Sequence, residues 1–276
     1  MILSIRIIGA NGTKKNRERE GYELRFPLAE DKGPDMAGFG YDGEYEDGDC
    51  IEVTTDEPGC FVWMRLDDAL GEELVYMTEP VFTFKVPFGE KKTSYPPKCF
   101  TGSFHYLSVR RADDAEAYGY RNLCLNVYDH HENTGLYPHS YANVETRGEA
   151  VFASRNAING NRENRSHGEW PYESWGINRN PDAEMTVEFG FEAMIDKIVL
   201  YTRADFPHDS WWTSATFVFS DGTKRTVSME KSTAPHVFML DPIKTSEIKL
   251  CKLIKADDES PFPALTQIEV YGRKIS

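Results

Sequence analysis

The second half of the chain carries the pattern that decides the fold. It contains the segment IDKIVLY at residues 195–201, followed by FSDG at residues 219–222 and IEVYG at residues 268–272. β-Branched and aromatic residues dominate these short runs, and Asp and Gly mark the turns between them, which is typical of strands joined by tight turns. The pattern predicts a series of short, half-buried strands.

The first half shows the same kind of pattern. Residues 60–64 read CFVWM, residues 81–86 read VFTFKV and residues 123–128 read LCLNVY. In the run at 81–86, apolar residues alternate with Thr83 and Lys85, so one face of the strand is apolar. Helical periodicity is weak along the whole chain. Many short strands with Gly- and Pro-rich turns predict an all-β protein built of sandwiches or jelly rolls.

The length of the chain suits two domains of ordinary size. It has 276 residues, of which 40% are hydrophobic and 13% aromatic, enough for packed cores. We expect two packed β-sandwich (jelly-roll-like) domains, residues 1–140 and residues 141–276, with the boundary near Pro138 to Tyr141. The junction carries no flexible Gly/Ser tract, so we expect the two sandwiches to pack rigidly against each other.

Charge and cysteine content limit the classes of partner and compartment. The formal net charge of −14 argues against binding nucleic acid or an anionic membrane surface, whereas a neutral sugar is easily accommodated. The apolar start at residues 1–8 is interrupted by Arg6 and is too short for a signal peptide or a membrane span. Five cysteines without a CxxC pair predict reduced thiols. We therefore expect a cytoplasmic protein that does not insert into membranes.

The order of motifs in the second half resembles a known family. From Tyr141 to Gly272 it is similar to the discoidin domain, also called the F5/8 type C or galactose-binding-like domain, which includes the family-32 carbohydrate-binding modules. The motifs are NV at 143–144, AS at 153–154, NAINGN at 156–161, Trp175 and the three runs quoted above. The resemblance implies a β-sandwich that binds sugars or phospholipid head groups at its loops. We therefore expect non-catalytic carbohydrate binding; residues before Tyr141 resemble no family.

Two loops of the second half combine aromatic and charged side chains, reading HGEWPYESW at 167–175 and RADFPHDSWW at 203–212. A sugar site needs an aromatic face for the pyranose C–H groups and fixed hydrogen-bonding groups for the hydroxyls. The predicted ligand-binding residues are Arg203, Asp205, His208, Asp209 and Trp211, with Trp170 and Tyr172 as neighbours. As the alternative, Arg203 and Asp205 form an ion pair that ties the loop down, and Trp175 and one of the adjacent tryptophans belong to the core.

The resemblance also implies a structural calcium ion. The family places an acidic residue in the turn that is here residues 158–161, and often another just before the last strand. This chain has Asn159 and Asn161 in the turn and Gln267 at the second position. Amide oxygens can bind calcium, but the missing negative charges weaken such a site. A calcium site at these three residues and a metal-free turn held by hydrogen bonds remain the two alternatives.

An enzymatic role is the first alternative function. A polar cluster contains Asp129, His130, His131 and His139, and His105 lies upstream of it. Imidazole and carboxylate groups can bind a transition metal or act as general acid and base. The H-E-x-x-H, G-x-S-x-G and phosphate-loop motifs are absent. A carbohydrate-active enzyme would have its site in the N-terminal sandwich or at the domain interface, and the sequence favours a non-enzymatic role.

An acidic cluster at residues 67–73 has a catalytic and a structural interpretation. The adjacent carboxylates Asp67 and Asp68, with Glu72 and Glu73 nearby, could serve glycoside hydrolysis across a cleft. Adjacent aspartates more often line a turn or cap a helix, which is the simpler interpretation. The second alternative function is a protein–protein interaction module, because Trp and Arg also dominate interface hot spots.

Overall fold

The fold is described from a computed structural model that covers residues 1–17, 28–133, 135–163, 168–204 and 209–275. Its helices are α1 (Asp114–Tyr118) and 3-10 helices at Gly89–Ser94, Thr146–Gly148, Ala150–Phe152 and Ser154–Ile158. None of the helices in these ranges has the length and apolarity that a bilayer crossing requires. The strands are β1 (Ile2–Ile8), β2 (Glu30–Pro34), β3 (Met36–Asp42), β4 (Cys50–Thr55), β5 (Cys60–Arg65), β6 (Glu73–Met77), β7 (Val81–Lys85), β8 (Phe104–Arg111), β9 (Arg121–Asn122), β10 (Leu136–Tyr137), β11 (His139–Ala142), β12 (Trp175–Gly176), β13 (Met185–Thr202), β14 (Asp209–Ser210), β15 (Trp212–Phe219), β16 (Lys224–Ser228), β17 (His236–Lys255) and β18 (Phe262–Lys274).

The chain divides into two compact units whose boundary differs from the predicted one. Unit 1 comprises Met1–Asp113 and Asn133–Leu136, and unit 2 comprises Asp114–Glu132 and Tyr137–Ser276. The predicted domains 1–140 and 141–276 differ from this division at residues 114–132 and 137–140, which group with unit 2, and they stay a prediction. The physical reason is strand pairing, because β9 pairs with β18 and β11 pairs with β13.

Unit 1 is a β-sandwich of two antiparallel sheets. Their strand orders are β2-β1-β4-β7 and β6-β5-β8-β3, with the short β10 at the edge of the second sheet. The predicted alternation in β7 is confirmed, since Phe82 and Phe84 are buried while Thr83 and Lys85 are exposed. Burying each such aromatic side chain contributes about 1.5–3 kcal/mol.

Unit 2 is built on one nine-stranded sheet system with the order β12-β18-β13-β17-β15-β16, to which β9, β11 and β14 are attached. The predicted run at 195–201 lies in β13, an 18-residue strand with register shifts between Glu188 and Ala193 and between Ile195 and Lys197. Such irregularities bend a strand, which lets long strands curve around a core. That core includes Trp175 and Trp212, both fully buried. The all-β prediction is confirmed.

Candidate ligand site

Unit 2 contains a cavity of about 230 Å³ whose wall carries three guanidinium groups and three aromatic rings. It forms where two 3-10 helices, the turn after β12, the end of β13 and the start of β18 come together. Its described lining residues are Thr146, Arg147, Phe152, Tyr172, Ser174, Gly176, Ile177, Asn178, Arg179, Arg203, Phe262, Pro263 and Ala264. We call this feature the arginine cavity.

Arg203 is the most constrained cation of the arginine cavity. It follows directly after β13, and its backbone N–H donates to the carbonyl of Ala264 at 3.2 Å, which ties it to β18. Its side chain is only 3% exposed, and Nη1 donates to the carbonyl oxygen of Tyr172 at 2.7 Å. The guanidinium is therefore held in place before any ligand arrives, which limits the entropy that binding must remove.

Arg179 and Phe262 form a second group on the wall. The guanidinium carbon of Arg179 lies 4.6 Å from the ring centroid of Phe262, a cation–π contact, and the ring itself is 40% exposed. Asn178 and Arg179 both have left-handed backbones, with φ of 49° and 60°. The N–H of Asn178 donates to Oγ1 of Thr146 at 2.9 Å. This turn, which costs backbone strain, places Arg179 at the cavity.

The third arginine, Arg147, lies over Phe152 with its guanidinium carbon 5.4 Å from the ring centroid. Its Nε and Nη2 donate to the two carboxylate oxygens of Glu149 at 2.5 and 2.7 Å. Arg147 is 61% exposed in its side chain, so solvent screens this ion pair strongly. The positive charge of Arg147 is therefore paired with Glu149 at the exposed edge of the wall.

Two small residues shape the same wall. Ser174 is fully buried, and its Oγ has no hydrogen-bond partner among the described residues. A Cβ on Gly176 would lie 2.6 Å from Oγ1 of Thr146, so glycine is needed for the two segments to approach. Burying an unpartnered hydroxyl costs about 1–3 kcal/mol, a cost that a ligand oxygen or a water can relieve.

The chemistry of the described lining is that of a binding site. The thirteen residues that line the cavity include three arginines, two phenylalanines and a tyrosine, but no Asp, Glu, His, Cys or Lys. Guanidinium groups donate hydrogen bonds and aromatic faces pack against C–H groups, while general acid–base chemistry requires a group that releases and accepts protons near neutral pH. The arrangement can bind and orient a polar ligand.

The structure brings together only part of the predicted sugar site. Arg203 and Tyr172 line the arginine cavity, whereas Trp170 and Trp211 are half-buried and do not belong to its lining. Asp209 is described only as backbone of β14, and Asp205 and His208 lie outside the described residues. The interpretation of Trp175 as a core residue is confirmed, as is that of one adjacent tryptophan, Trp212.

Sequence reasoning missed Arg147, Phe152, Ser174, Arg179 and Phe262. Two of them left a signal in the sequence. Phe262 lies between two prolines at residues 261–263, which favours a fixed aromatic side chain at a loop end. Arg179 lies between two asparagines, a residue type that readily adopts left-handed turns. Neither signal shows that the two side chains meet.

The predicted calcium residues form a hydrogen-bonded turn, here called the asparagine turn (Asn159, Gly160 and Asn161). Oδ1 of Asn159 accepts the backbone N–H of Asn161 at 2.8 Å, and Oε1 of Gln267 accepts that of Gly160 at 3.2 Å. The Nδ2 groups of both asparagines donate to Oε1 of the buried Glu173, at 3.1 Å from Asn159 and through a short contact from Asn161.

This donor set fits calcium poorly. The ion takes six to eight oxygen ligands, but the oxygens of Asn159 and Gln267 already accept backbone N–H groups. Beside them, the carboxylate of Glu269 forms an ion pair with Arg162, which puts a fixed positive charge near the turn. The geometry therefore favours the metal-free alternative, and calcium binding stays a prediction to be tested.

The histidines proposed for an enzyme are divided between the units. In unit 2, Nδ1 of His139 lies 2.7 Å from Oδ1 of Asp129, whose Oδ2 accepts the N–H and Oγ–H of Ser140. Burial is the largest single influence on His139 and opposes its protonation, but the hydrogen bond to Asp129 and the negative charges of Asp129 and Glu188 together raise its pKa. Asp129 thereby connects its own loop to the start of β11, and both oxygens of its carboxylate form hydrogen bonds.

In unit 1, His105 contacts Asp67 in a closed arrangement. The distance from Nδ1 to Oδ2 of Asp67 is 3.0 Å, and Nε2 lies 3.1 Å from the carbonyl oxygen of Gly102. With Asp68 these residues form a group with metal-ligand spacing among the described residues. Asp67 also accepts the backbone N–H groups of Ala69 and Phe100, so its carboxylate organises a turn, as the simpler sequence interpretation holds.

Comparison with known proteins finds distant structural likenesses only. No protein-family model and no curated protein matches this chain. Among solved structures, chitosan-binding module 1 of a Paenibacillus sp. IK-5 chitosanase/glucanase matches at 16% identity and TM-score 0.39, covering 55% of this chain and 98% of that one. A Streptococcus pneumoniae fucose-binding module, SpX-3, matches at 14% identity and TM-score 0.40, covering 55% of this chain and 98% of that one. The family-32 module of C. perfringens NanJ, solved with galactose, matches at 18% identity and TM-score 0.37, covering 48% of this chain and 91% of that one. Each likeness extends over about half of this chain, at identities of 14–18%.

Proposed function

We propose that this protein binds carbohydrate without catalysis, through the arginine cavity of unit 2. The observation that carries this proposal is the composition of the cavity wall, which combines pre-positioned guanidinium donors with exposed aromatic faces. Its volume of about 230 Å³ lies below the roughly 300–1,000 Å³ of pockets for drug-sized ligands. The cavity therefore suits one terminal sugar residue of a larger glycan.

Each chemical group of the wall has a role in such binding. The ring of Phe262 offers an exposed face for the apolar C–H patch of a pyranose. Arg203 directs N–H donors from a buried, hydrogen-bonded position, and charge-assisted hydrogen bonds of this kind are about twice as strong as neutral ones. The hydroxyl of Ser174 adds one further polar group on the same wall.

A non-catalytic role is supported by the described lining itself. Glycoside hydrolysis in its usual form needs two carboxyl groups flanking the scissile bond. Among the residues that the structure describes, the lining contains no carboxyl group for either role. Binding alone accounts for the residues that are present.

The test is a glycan array followed by titration calorimetry with matched variants. Galactose, fucose and chitosan oligosaccharides, the ligands named for the matched structures, are the first probes. Phe262→Ala should weaken binding at least about tenfold, which corresponds to about 1.4 kcal/mol. Tyr141→Ala is the control, because Tyr141 is an equally exposed aromatic residue of the same unit outside the cavity, 44% exposed against 40% for Phe262.

The two variants and the unmodified protein distinguish three outcomes. Loss of binding in Phe262→Ala with normal binding in Tyr141→Ala supports the cavity as the sugar site. Equal binding by both variants and the unmodified protein would move the site elsewhere. A blank array for the unmodified protein would remove carbohydrate binding as the function.

A further inference from the structure

The arginine cavity has a charge opposite to that of the chain. The whole protein has a formal net charge of −14, yet the described lining contains three arginines and no acidic residue. Acidic residues are the majority among the charged groups, with 45 Asp and Glu against 31 Lys and Arg. Glu149 compensates Arg147, so the excess positive charge of the described wall rests mainly on Arg179, and a concave surface focuses the resulting field.

Arg179 presents the least engaged of the three charges. Its guanidinium faces the ring of Phe262 at 4.6 Å, and no carboxylate among the described residues forms an ion pair with it. The contact with the ring involves no hydrogen bond to a carboxylate, and a guanidinium has five N–H donors in one plane. Those donors match the planar geometry of a carboxylate or the oxygens of a sulfate group.

Arg147 adds a charge that already has a partner at the surface. Its carboxylate partner Glu149 is 37% exposed in its side chain and Arg147 is 61% exposed. The pair is bidentate, which is the favourable geometry for a surface ion pair, although water and salt screen it. A ligand anion that binds Arg147 must therefore share the guanidinium with Glu149 or displace that carboxylate.

Ser174 provides an independent sign that a polar group of a ligand belongs here. It is fully buried, it lines the cavity, and its Oγ has no partner among the described residues. A buried hydroxyl without a partner is rare in folded proteins. Because the Oγ is itself buried, a ligand oxygen reaches it after a small movement of the wall and then accepts a hydrogen bond from the hydroxyl beside the arginines.

We infer that the arginine cavity selects acidic sugars, which carry a carboxylate or a sulfate group on the terminal residue; this inference rests on the proposed function. A neutral sugar requires hydrogen-bond donors but gains nothing from three positive charges. A cationic amino sugar is repelled by them. An anionic lipid surface fits less well, because the concavity of about 230 Å³ admits one small group and the chain as a whole carries −14.

The first experiment compares each acidic sugar with a counterpart that lacks the negative charge. Calorimetric titrations would use galacturonic acid against its methyl ester, and galactose 6-sulfate against galactose. We expect at least tenfold tighter binding of each acid, and we expect this advantage to shrink as salt rises from 50 to 500 mM, because added salt screens charge. Equal affinities within each pair would overturn the charge inference while leaving carbohydrate binding intact.

The second experiment assigns the preference to the cavity. Arg179→Gln should lower the ratio of acid to ester affinity at least fivefold, and Arg179→Lys should recover part of it, because Lys retains the charge but not the planar fork. Arg225→Gln is the matched control, since Arg225 is an exposed arginine of β16 in the same unit, outside the cavity. An unchanged ratio in Arg179→Gln would place the acid preference elsewhere and overturn the inference.

A third experiment tests whether the protein binds an anionic lipid surface instead of a sugar. Vesicles that contain phosphatidylserine are tested by sedimentation beside the sugar titrations. Binding to vesicles without binding to any sugar would overturn both the charge inference and the proposed function. No binding to sugars or vesicles would overturn both as well, whereas binding to acidic sugars alone supports both.

Discussion

Unit 2 uses polar side chains in two opposite ways. In the buried polar network, defined here as Asn126, Asp129, His139, Ser140, Arg155 and Asn156, each of these residues forms hydrogen bonds within the chain. Arg155 alone donates to the carbonyls of Asp129 at 2.8 Å and Val127 at 2.7 Å. In the arginine cavity, by contrast, guanidinium and hydroxyl groups line open space.

The difference teaches that residue type does not decide function; the available partners do. Arg155 and Arg203 are both buried arginines that donate to backbone carbonyls. Arg155 is enclosed by the chain it holds together, whereas Arg203 also forms part of a cavity wall. The first is predicted to act on stability and the second on binding, and the following experiments test that separation.

The largest expected effect on stability is that of Arg155→Met. The substitution keeps the apolar stem but removes the donors to the carbonyls of Val127 and Asp129, so each of these buried carbonyls loses a hydrogen bond. We expect the free energy of unfolding to fall by about 3 kcal/mol, since each orphaned buried group costs about 1–3 kcal/mol. Urea denaturation measures it, with the exposed Arg225→Met as the control that should stay within about 0.5 kcal/mol of the unmodified protein.

A loss below about 1 kcal/mol in Arg155→Met would contradict the comparison. It would mean that water replaces the guanidinium easily and that the network is not closed. Sugar binding by the folded fraction should stay normal, because Arg155 does not belong to the described cavity lining.

Two buried serines give the next largest contrast. The Oγ of Ser140 donates to Oδ2 of Asp129 at 2.8 Å, whereas the Oγ of Ser174 has no described partner. We expect Ser140→Ala to lower the free energy of unfolding by about 1.5 kcal/mol, as for a hydrogen bond to a charged group. Ser174→Ala should leave it unchanged or raise it by up to about 1 kcal/mol, because an unpartnered hydroxyl is removed.

The same pair separates stability from binding. Ser174→Ala should weaken sugar binding about fivefold, or about 1 kcal/mol, whereas Ser140→Ala should not change it. Urea denaturation and titration calorimetry on both variants measure the two properties. A destabilised Ser174→Ala variant would show that its hydroxyl has a structural partner and belongs with the network.

A smaller effect should appear as pH dependence of the network. Burial is the largest single influence and lowers the pKa of His139, but the hydrogen bond to Asp129 and the charges of Asp129 and Glu188 together raise it above its unfolded value near 6.5. The folded state thus holds the proton more tightly, so this stabilisation is fully present below the unfolded pKa and is lost as pH rises through the folded pKa. Burial lowers the pKa of the neighbouring His130 and acts in the opposite direction.

The contribution of His139 is therefore measured as a difference. The free energy of unfolding is determined between pH 6 and 9 for the unmodified protein and for His139→Gln, in which the amide still donates to Asp129. The advantage of the unmodified protein should decrease as pH rises. An advantage that is constant or increases with pH would show that His139 is not charged in the fold.

Parts of the fold governed by local pattern could be predicted from the sequence. In the run at 81–86 burial on one side of a strand imposes a period of two, and the structure has that alternation in β7. The run at 195–201 is likewise part of β13. The domain boundary depended instead on β9 pairing with β18, about 150 residues away, which no local pattern encodes.

The candidate site shows the same limit. Arg203 and Tyr172 were found because each lies in a loop that is rich in aromatic and charged residues. Arg147, Arg179 and Phe262 come from three other segments, and strand order alone brings them to one wall. The asparagine turn was located correctly in sequence, but its amide oxygens could not be known to accept N–H groups of the turn itself.

The smallest expected effect is the response of the asparagine turn to calcium. The amide oxygens of the turn are neutral and already accept backbone N–H groups, so we expect them to bind calcium weakly. Millimolar calcium or a chelator should therefore shift the unfolding midpoint by less than about 1 °C. A calcium site filled at 100 times its Kd would instead raise the free energy of unfolding by about 2.7 kcal/mol. The double substitution Asn159→Asp with Gln267→Glu is the sharper arm, because carboxylates can bind the ion while still accepting those N–H groups. If only the double variant gains a calcium-dependent unfolding midpoint, the amide side chains are the reason that the unmodified turn does not bind the ion. A calcium-dependent shift of several degrees in the unmodified protein would instead show that the asparagine turn binds calcium.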